Sequence, residues 1–333
     1  MDHAIARRTV LAGAGAGLAA GLVGEASAQS PAKPDIQASE YWTNKGETKL
    51  YLYRKRAAPK AGEQQPVVFL VHGSSNSSRS SYDLSVPGKG EYSFMNVLAG
   101  YGFDVWTMDH DGYGRSGSSG NNSDIASGVA DLKAAIPVVM QETGRQKLHM
   151  YGTSSGAIRA GAYAQAAPER VDRLILSAFT YKGTGSPEIA RRNAVADRYR
   201  NNPRRKRDLA MIRSIFTRDG HASAYDMAVA DAIAAEELKF GDQVPTGTYL
   251  DMAVNLPLVD PAKVHSPVLM IRGAHDGNST NEDLLDFYAQ LANGDRQFVI
   301  LPHTAHSIGY SNNRHLLWYA VRNFLNAPAA VAA

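Results

Sequence analysis

The sequence predicts an α/β fold: a mainly parallel central sheet flanked by helices, with a helical cap inserted into it. Three observations carry this. Short continuous apolar runs recur along the chain, from Val67-Val68-Phe69-Leu70-Val71 through 103–108, 148–151, 174–177, 268–271 and 298–301. Runs of this length fill strands buried on both faces of a parallel sheet. Helical stretches such as 125–143 and 158–167 lie between most of them, and that alternation is the signature of a parallel sheet covered on both sides. The interval between Ser177 and Val268 breaks the rhythm. It reads as several helices punctuated by Pro203, Gly220, Gly241, Pro245 and Pro257, as an insertion would.

At the N-terminus, residues 9–24 are sixteen uncharged residues, five of them Gly, preceded by Arg7-Arg8 and followed by Ala26-Ser27-Ala28. A spanning helix needs about 20 strongly apolar residues, so this segment reads as a secretory leader over 1–28, cleaved before Gln29. The arginine pair and glycine-rich run resemble a twin-arginine (Tat) signal, which predicts a periplasmic or secreted mature protein. Residues 29–46, rich in Ser, Pro, Ala and Lys, read as a tether. The alternation of Leu50 and Leu52 with Tyr51 and Tyr53 reads as an edge strand. The core is expected over 47–180 and 264–326, the helical cap over 181–263, and a flexible Ala-rich tail over 327–333.

Charge within the cap is segregated. Residues 191–218 hold ten Arg or Lys against Asp197 and Asp208, and 219–251 hold seven acids against Lys239. The expectation is two solvated helix faces that attract each other, with an anion-binding or membrane-surface patch as the alternative. The whole 333-residue chain has 35 Lys+Arg against 32 Asp+Glu, a net charge of +3, too balanced for the basic footprint of a nucleic-acid binder. With no cysteine, thiolate nucleophiles, disulfides and Cys-ligated zinc are excluded. No other segment approaches membrane-spanning length, and nothing indicates an oligomeric state.

The candidate chemistry begins at Gly152-Thr153-Ser154-Ser155-Gly156, which follows the apolar run 148–151 and precedes a helical stretch. That is the context in which G-x-S-x-G means a nucleophile held on a strained turn. A serine hydroxyl needs a base within hydrogen-bond reach, itself oriented by a carboxylate. Asp276 lies just past the run 268–271 and His306 just past 298–301, giving the order Ser, Asp, His. Asp260 precedes Pro261 and reads as a turn residue. His303 competes with His306, but the pair has neither a third ligand nor an H-E-x-x-H pattern to suggest a metal. His72 and His275 read as structural hydrogen-bonders. No cofactor is expected.

From about Pro66 to Leu325 these features resemble the α/β-hydrolase superfamily, specifically its capped serine hydrolases. Val71-His72-Gly73-Ser74-Ser75 looks like the family's His-Gly oxyanion turn, and Asp109-His110-Asp111-Gly112-Tyr113-Gly114-Arg115-Ser116 resembles its D-x-x-G-x-G-x-S loop. The resemblance implies Ser154 as nucleophile, His306 as base and Asp276 as its orienting acid, with the backbone N–H groups of Ser74 and Ser155 as the oxyanion hole. Thr153 departs from the larger His or aromatic that many members carry before the nucleophile. A serine nucleophile excludes the aspartate chemistry of epoxide hydrolases and dehalogenases. Among serine-dependent activities the resemblance implies hydrolysis of a small-molecule carboxylic ester first, carbon–carbon hydrolysis of an acidic diketone second, and a non-catalytic binding protein on the same fold last.

Overall fold

Five of the six apolar runs become inner strands of an eight-stranded sheet, whereas 298–301 falls in an edge strand in which Ile300 is exposed, a correction to its reading as a buried strand. The computed structural model describes residues 35–59, 62 and 64–328. Its strands are β1 (Ile36–Lys45), β2 (Thr48–Ala57), β3 (Val67–Val71), β4 (Asp104–Met108), β5 (Leu148–Thr153), β6 (Val171–Ser177), β7 (Val268–Gly273) and β8 (Arg296–Leu301). They lie in the order β1-β2-β4-β3-β5-β6-β7-β8. β1 pairs antiparallel with β2, and β2 with β4; every later pairing is parallel. All residues of β3, β4 and β7 are buried, which is why those segments read as largely apolar runs, with Asp104, Thr107 and Arg272 as buried polar exceptions.

The helices are α1 (Ser78–Tyr82), α2 (Phe94–Gly100), α3 (Ile125–Thr143), α4 (Ser155–Ala166), α5 (Pro187–Asn193), α6 (Ala196–Asn201), α7 (Leu209–Thr217), α8 (Met227–Glu237), α9 (Gly247–Val254), α10 (Asn281–Gln290) and α11 (Arg314–Leu325). One side of the sheet packs Leu132 and Ile136 of α3, Ile158 of α4 and Phe287 of α10. The other packs Met95 and Leu98 of α2 with Leu317, Val321 and Phe324 of α11. α5 to α9 fall between β6 and β7 as the cap, where Ile212 and Phe216 of α7 meet Val229 and Ile233 of α8.

Four further expectations are corrected. Leu50 to Tyr53 do not form an edge strand: β2 lies between β1 and β4, and all four of those residues are buried. The tether over 29–46 is wrong for its second half: residues 36–45 are β1, joined to β2 through Gly46, whose φ of +58° suits a glycine. The cause is side-chain packing that composition does not reveal. Tyr41 lies against Trp106 with ring centroids 4.7 Å apart, and the Tyr51 hydroxyl donates to Glu40. The cap is not wholly helical either, because Arg204–Lys206 and Gln243–Pro245 pair as a short antiparallel ribbon. Its charges, finally, are only partly a solvated face. Arg213 and Asp231 do form an exposed pair, whereas Arg207 is buried against Glu237. The leader over 1–28 lies outside the described residues. Among the described residues, no helix is long and apolar enough to cross a membrane.

Glu237, at the end of α8, ties the cap to the core. Its fully buried carboxylate accepts the Ser77 N–H at 2.6 Å, the Ser77 hydroxyl at 2.7 Å and the Ser80 hydroxyl, and it pairs with Arg207. Arg207 also donates to the Ser75 carbonyl at 3.3 Å. A cap ion pair thus braces the loop that follows the turn at Gly73-Ser74.

Candidate active site

Ser154 stands between β5 and α4 with φ 56° and ψ −127°, a conformation L-residues rarely adopt. The close crossing of strand and helix holds it there. A Cβ on Gly152 would run into the Gly156 carbonyl, and one on Gly156 into the carbonyls of Val71 and His72. The Ser154 N–H donates to the Ser177 carbonyl at 2.9 Å, fixing the turn to β6.

The three separated candidates meet at this turn. His306 Nε2 lies 2.9 Å from Ser154 Oγ, and His306 Nδ1 lies 2.8 Å from Asp276 Oδ1. Asp276 is buried, and its Oδ1 also accepts the Asn278 N–H at 2.8 Å. Burial alone would raise the Asp276 carboxyl, but the facing His306, the Asn278 N–H and Arg272 together hold it below its ordinary value. The carboxylate thus stays ionised, and in the tautomer that gives its Nδ1–H to Asp276 the ring presents Nε2 to the serine as an acceptor. The His306 N–H donates to Asp219 Oδ2 at 3.2 Å and the Ser307 N–H to the Tyr225 hydroxyl at 3.1 Å, so the cap steadies the histidine loop.

Ser155 opens α4, so its N–H has no intrahelical acceptor. Among the described residues none accepts the N–H of Ser74 or of Ser155. The two side chains are joined at 2.6 Å, and Thr248 of α9 donates to Ser74 Oγ at 2.8 Å. Both N–H groups are therefore free to receive an anionic oxygen beside Ser154.

The rival residues fall elsewhere. Asp260 caps a short turn by accepting the Ala262 N–H. His303 and His275 are exposed, and His275 stacks on His221 of the cap at 3.7 Å. His72 is fully buried behind the turn, where burial, His110 and Arg159 depress its pKa, and its Nε2 accepts the His110 N–H. Among the described residues no group of three His, Asp or Glu side chains could hold a metal ion.

A cleft of about 790 Å³, counting space open to solvent, contains Ser154 and His306. Arg192 and Arg218 of the basic run line it, beside Tyr249. These cap residues, like Asp219 and Thr248, belong to no local motif. The segregated charge between 191 and 218 was the one signal pointing to two of them.

Residues 62–311 match the family model for "Serine aminopeptidase, S33". A curated relative, the 2-hydroxy-6-oxononadienedioate/2-hydroxy-6-oxononatrienedioate hydrolase of Paraburkholderia phymatum, is 34% identical over 99 residues, which span 29% of this chain and 31% of that protein. Among solved structures, the 2-hydroxy-6-oxo-6-phenylhexa-2,4-dienoate hydrolase of Rhodococcus sp. strain RHA1 superposes with a TM-score of 0.63 at 19% identity, covering 88% of this chain and 100% of that one. A carboxylesterase of Bacillus subtilis gives 0.59 at 16% identity, with 88% and 93% covered. At such identities the likeness is one of fold. The matched span, the strand order and the Ser-x-Gly turn agree: the chain belongs to the serine aminopeptidase family of α/β-hydrolases.

Proposed function

We propose that this hydrolase cleaves carboxylic esters through an acyl-enzyme on Ser154. The observation that carries the reading is the continuous chain from Ser154 Oγ through His306 to Asp276, at 2.9 and 2.8 Å. In this mechanism His306 Nε2 takes the Ser154 proton as Oγ attacks the ester carbonyl. The N–H groups of Ser74 and Ser155 receive the oxyanion. The alcohol leaves with the proton from His306, and a water repeats the sequence to release the acid. Carbon–carbon hydrolysis is the second reading, favoured by the 99-residue similarity to the Paraburkholderia hydrolase.

The test is labelling with a fluorophosphonate, compared between wild type and Ser154→Ala. Label on the wild type alone is the expected result; equal labelling of both, or of neither, removes the assignment. Export by the twin-arginine route is part of the proposal, supported by Arg7-Arg8 and the glycines that follow. The receptor reads guanidinium groups rather than charge, so an Arg7→Lys/Arg8→Lys precursor should stay in the cytoplasm. Undiminished export of that variant counts against it.

A further inference from the structure

The cleft above Ser154 has two unlike arms. Toward the core its wall is aromatic and aliphatic, with Tyr82, Phe94, Tyr151, Ile308 and Leu317. Toward the cap it meets Arg192 and Arg218, which together with Ser75, Ile215 and Tyr249 also line a second chamber of about 780 Å³, counting space open to solvent. There Arg191, Arg192, Arg205 and Arg218 line the space against one carboxylate, Glu188.

That carboxylate is shared three ways. Glu188 pairs with Arg191 at 2.5 Å, with Arg192 at 3.3 Å and with Arg218 at 3.9 Å. Burial works to raise the Glu188 carboxyl, yet the three guanidinium groups hold it below its usual value. The Arg192 side chain is only 5% exposed; besides Glu188 its guanidinium meets the Met252 sulfur at 3.2 Å, a weak acceptor, and lies over the Tyr249 ring at 5.6 Å, and neither of these is a carboxylate. Arg218 Nε is buried with no partner among the described residues. Buried cations short of counter-charge are costly. Placed in the wall of a cleft, they are ready to be completed by an anion, and the guanidinium fork matches a carboxylate bidentately.

Building on the ester-hydrolase reading, we propose that the cleft takes an amphipathic, monoanionic ester. Its apolar portion lies among Phe94, Tyr151 and Leu317, and a carboxylate remote from the scissile carbonyl is held by Arg192 and Arg218.

The experiment compares an aryl monoester of a linear dicarboxylic acid with the aryl ester of the monocarboxylic acid of equal chain length. Charge-assisted hydrogen bonds predict a preference of about ten- to hundred-fold in kcat/KM for the anionic ester. It should be carried by KM and shrink as the Debye length falls from about 30 Å at 0.01 M salt to about 10 Å at 0.1 M. The ratio of the two esters should drop about ten-fold in Arg218→Gln, whose side chain is 21% exposed and so tolerates replacement, and in Arg192→Met. Equal kcat/KM for the two esters in wild type, or an unchanged ratio in both variants, overturns the proposal. Calorimetric binding of the free dicarboxylate to Ser154→Ala separates the two readings. Binding that disappears when Arg218→Gln is added supports the subsite even if neither ester is hydrolysed, and no binding to Ser154→Ala overturns it.

Discussion

Asp276→Asn is expected to fold as the wild type does and to lose about 10⁴-fold in kcat. The Asp276 Oδ1 accepts from both His306 and the Asn278 N–H, while Oδ2 is buried with no partner among the described residues. An amide that keeps its oxygen toward His306 preserves the geometry but removes the charge that stabilises the imidazolium. An amide turned the other way donates to Nδ1 and leaves Nε2 protonated, unable to take the Ser154 proton. Either orientation removes the acid's role while the side-chain volume is unchanged. Turnover of an aryl ester, with circular dichroism as the check on folding, decides it. Activity within ten-fold of wild type would move the orienting acid elsewhere. The residue to test next is then Asp219, whose Oδ1 is buried without a partner among the described residues, rather than the turn residue Asp260.

Conformational stability should fall steeply as pH drops from about 6.5 to about 4. His110 is fully buried, and burial and Arg159 depress its pKa to about 4 despite the carboxylate of Asp131. Its Nδ1–H donates to Asp131 at 3.0 Å, and Nε2 has no acceptor for a second proton among the described residues. Burial brings His149 to about 4 in the same way, against the pull of Asp172. In the unfolded chain both rings titrate near 6.5. Between those values the unfolded state binds more protons than the folded one, so stability rises with pH and is lost on acidification. Each ring contributes about 3 kcal/mol to that loss, a large share of the roughly 5–15 kcal/mol that holds a domain together. The depressed carboxyls of Asp131 and Asp276 act oppositely to the histidines in timing, adding a second loss only below about pH 4. Urea unfolding between pH 7 and 4 checks this. A flat profile, or no proton uptake on unfolding at pH 5, would show that these rings are charged in the folded protein.

What the sequence made legible was local. Gly152, Ser154 and Gly156 lie in five residues because one turn needs all of them, and Asp276 and His306 each follow a parallel strand by a few positions, buried for Asp276 and at the sheet edge for His306. Their meeting point at the strand ends follows from the parallel sheet. The rest depended on contacts between distant segments. β1 was hidden because the Ser/Pro/Ala-rich stretch before it merges with Glu40-Tyr41-Trp42, whose alternation has meaning only once Trp106 lies beneath. Arg192 and Arg207 have the same local character as Arg213, yet the first faces the cleft, the second is buried on Glu237 and the third is on the surface. Which face a cap helix presents is set by tertiary packing, and no spacing rule encodes it.

The buried Glu237 also decides how molecules reach Ser154. Lifting the cap would withdraw the Glu237 carboxylate from Ser77 and Ser80 and the Arg207 guanidinium from the Ser75 carbonyl, breaking several buried hydrogen bonds to charged groups at once. The same motion would release the loop behind Ser74 and disturb the groups that receive the oxyanion. A hinged lid would therefore disable the machinery each time it opened. A cap that stays seated leaves the cleft lined by Arg192, Arg218 and Tyr249 as the way to Ser154.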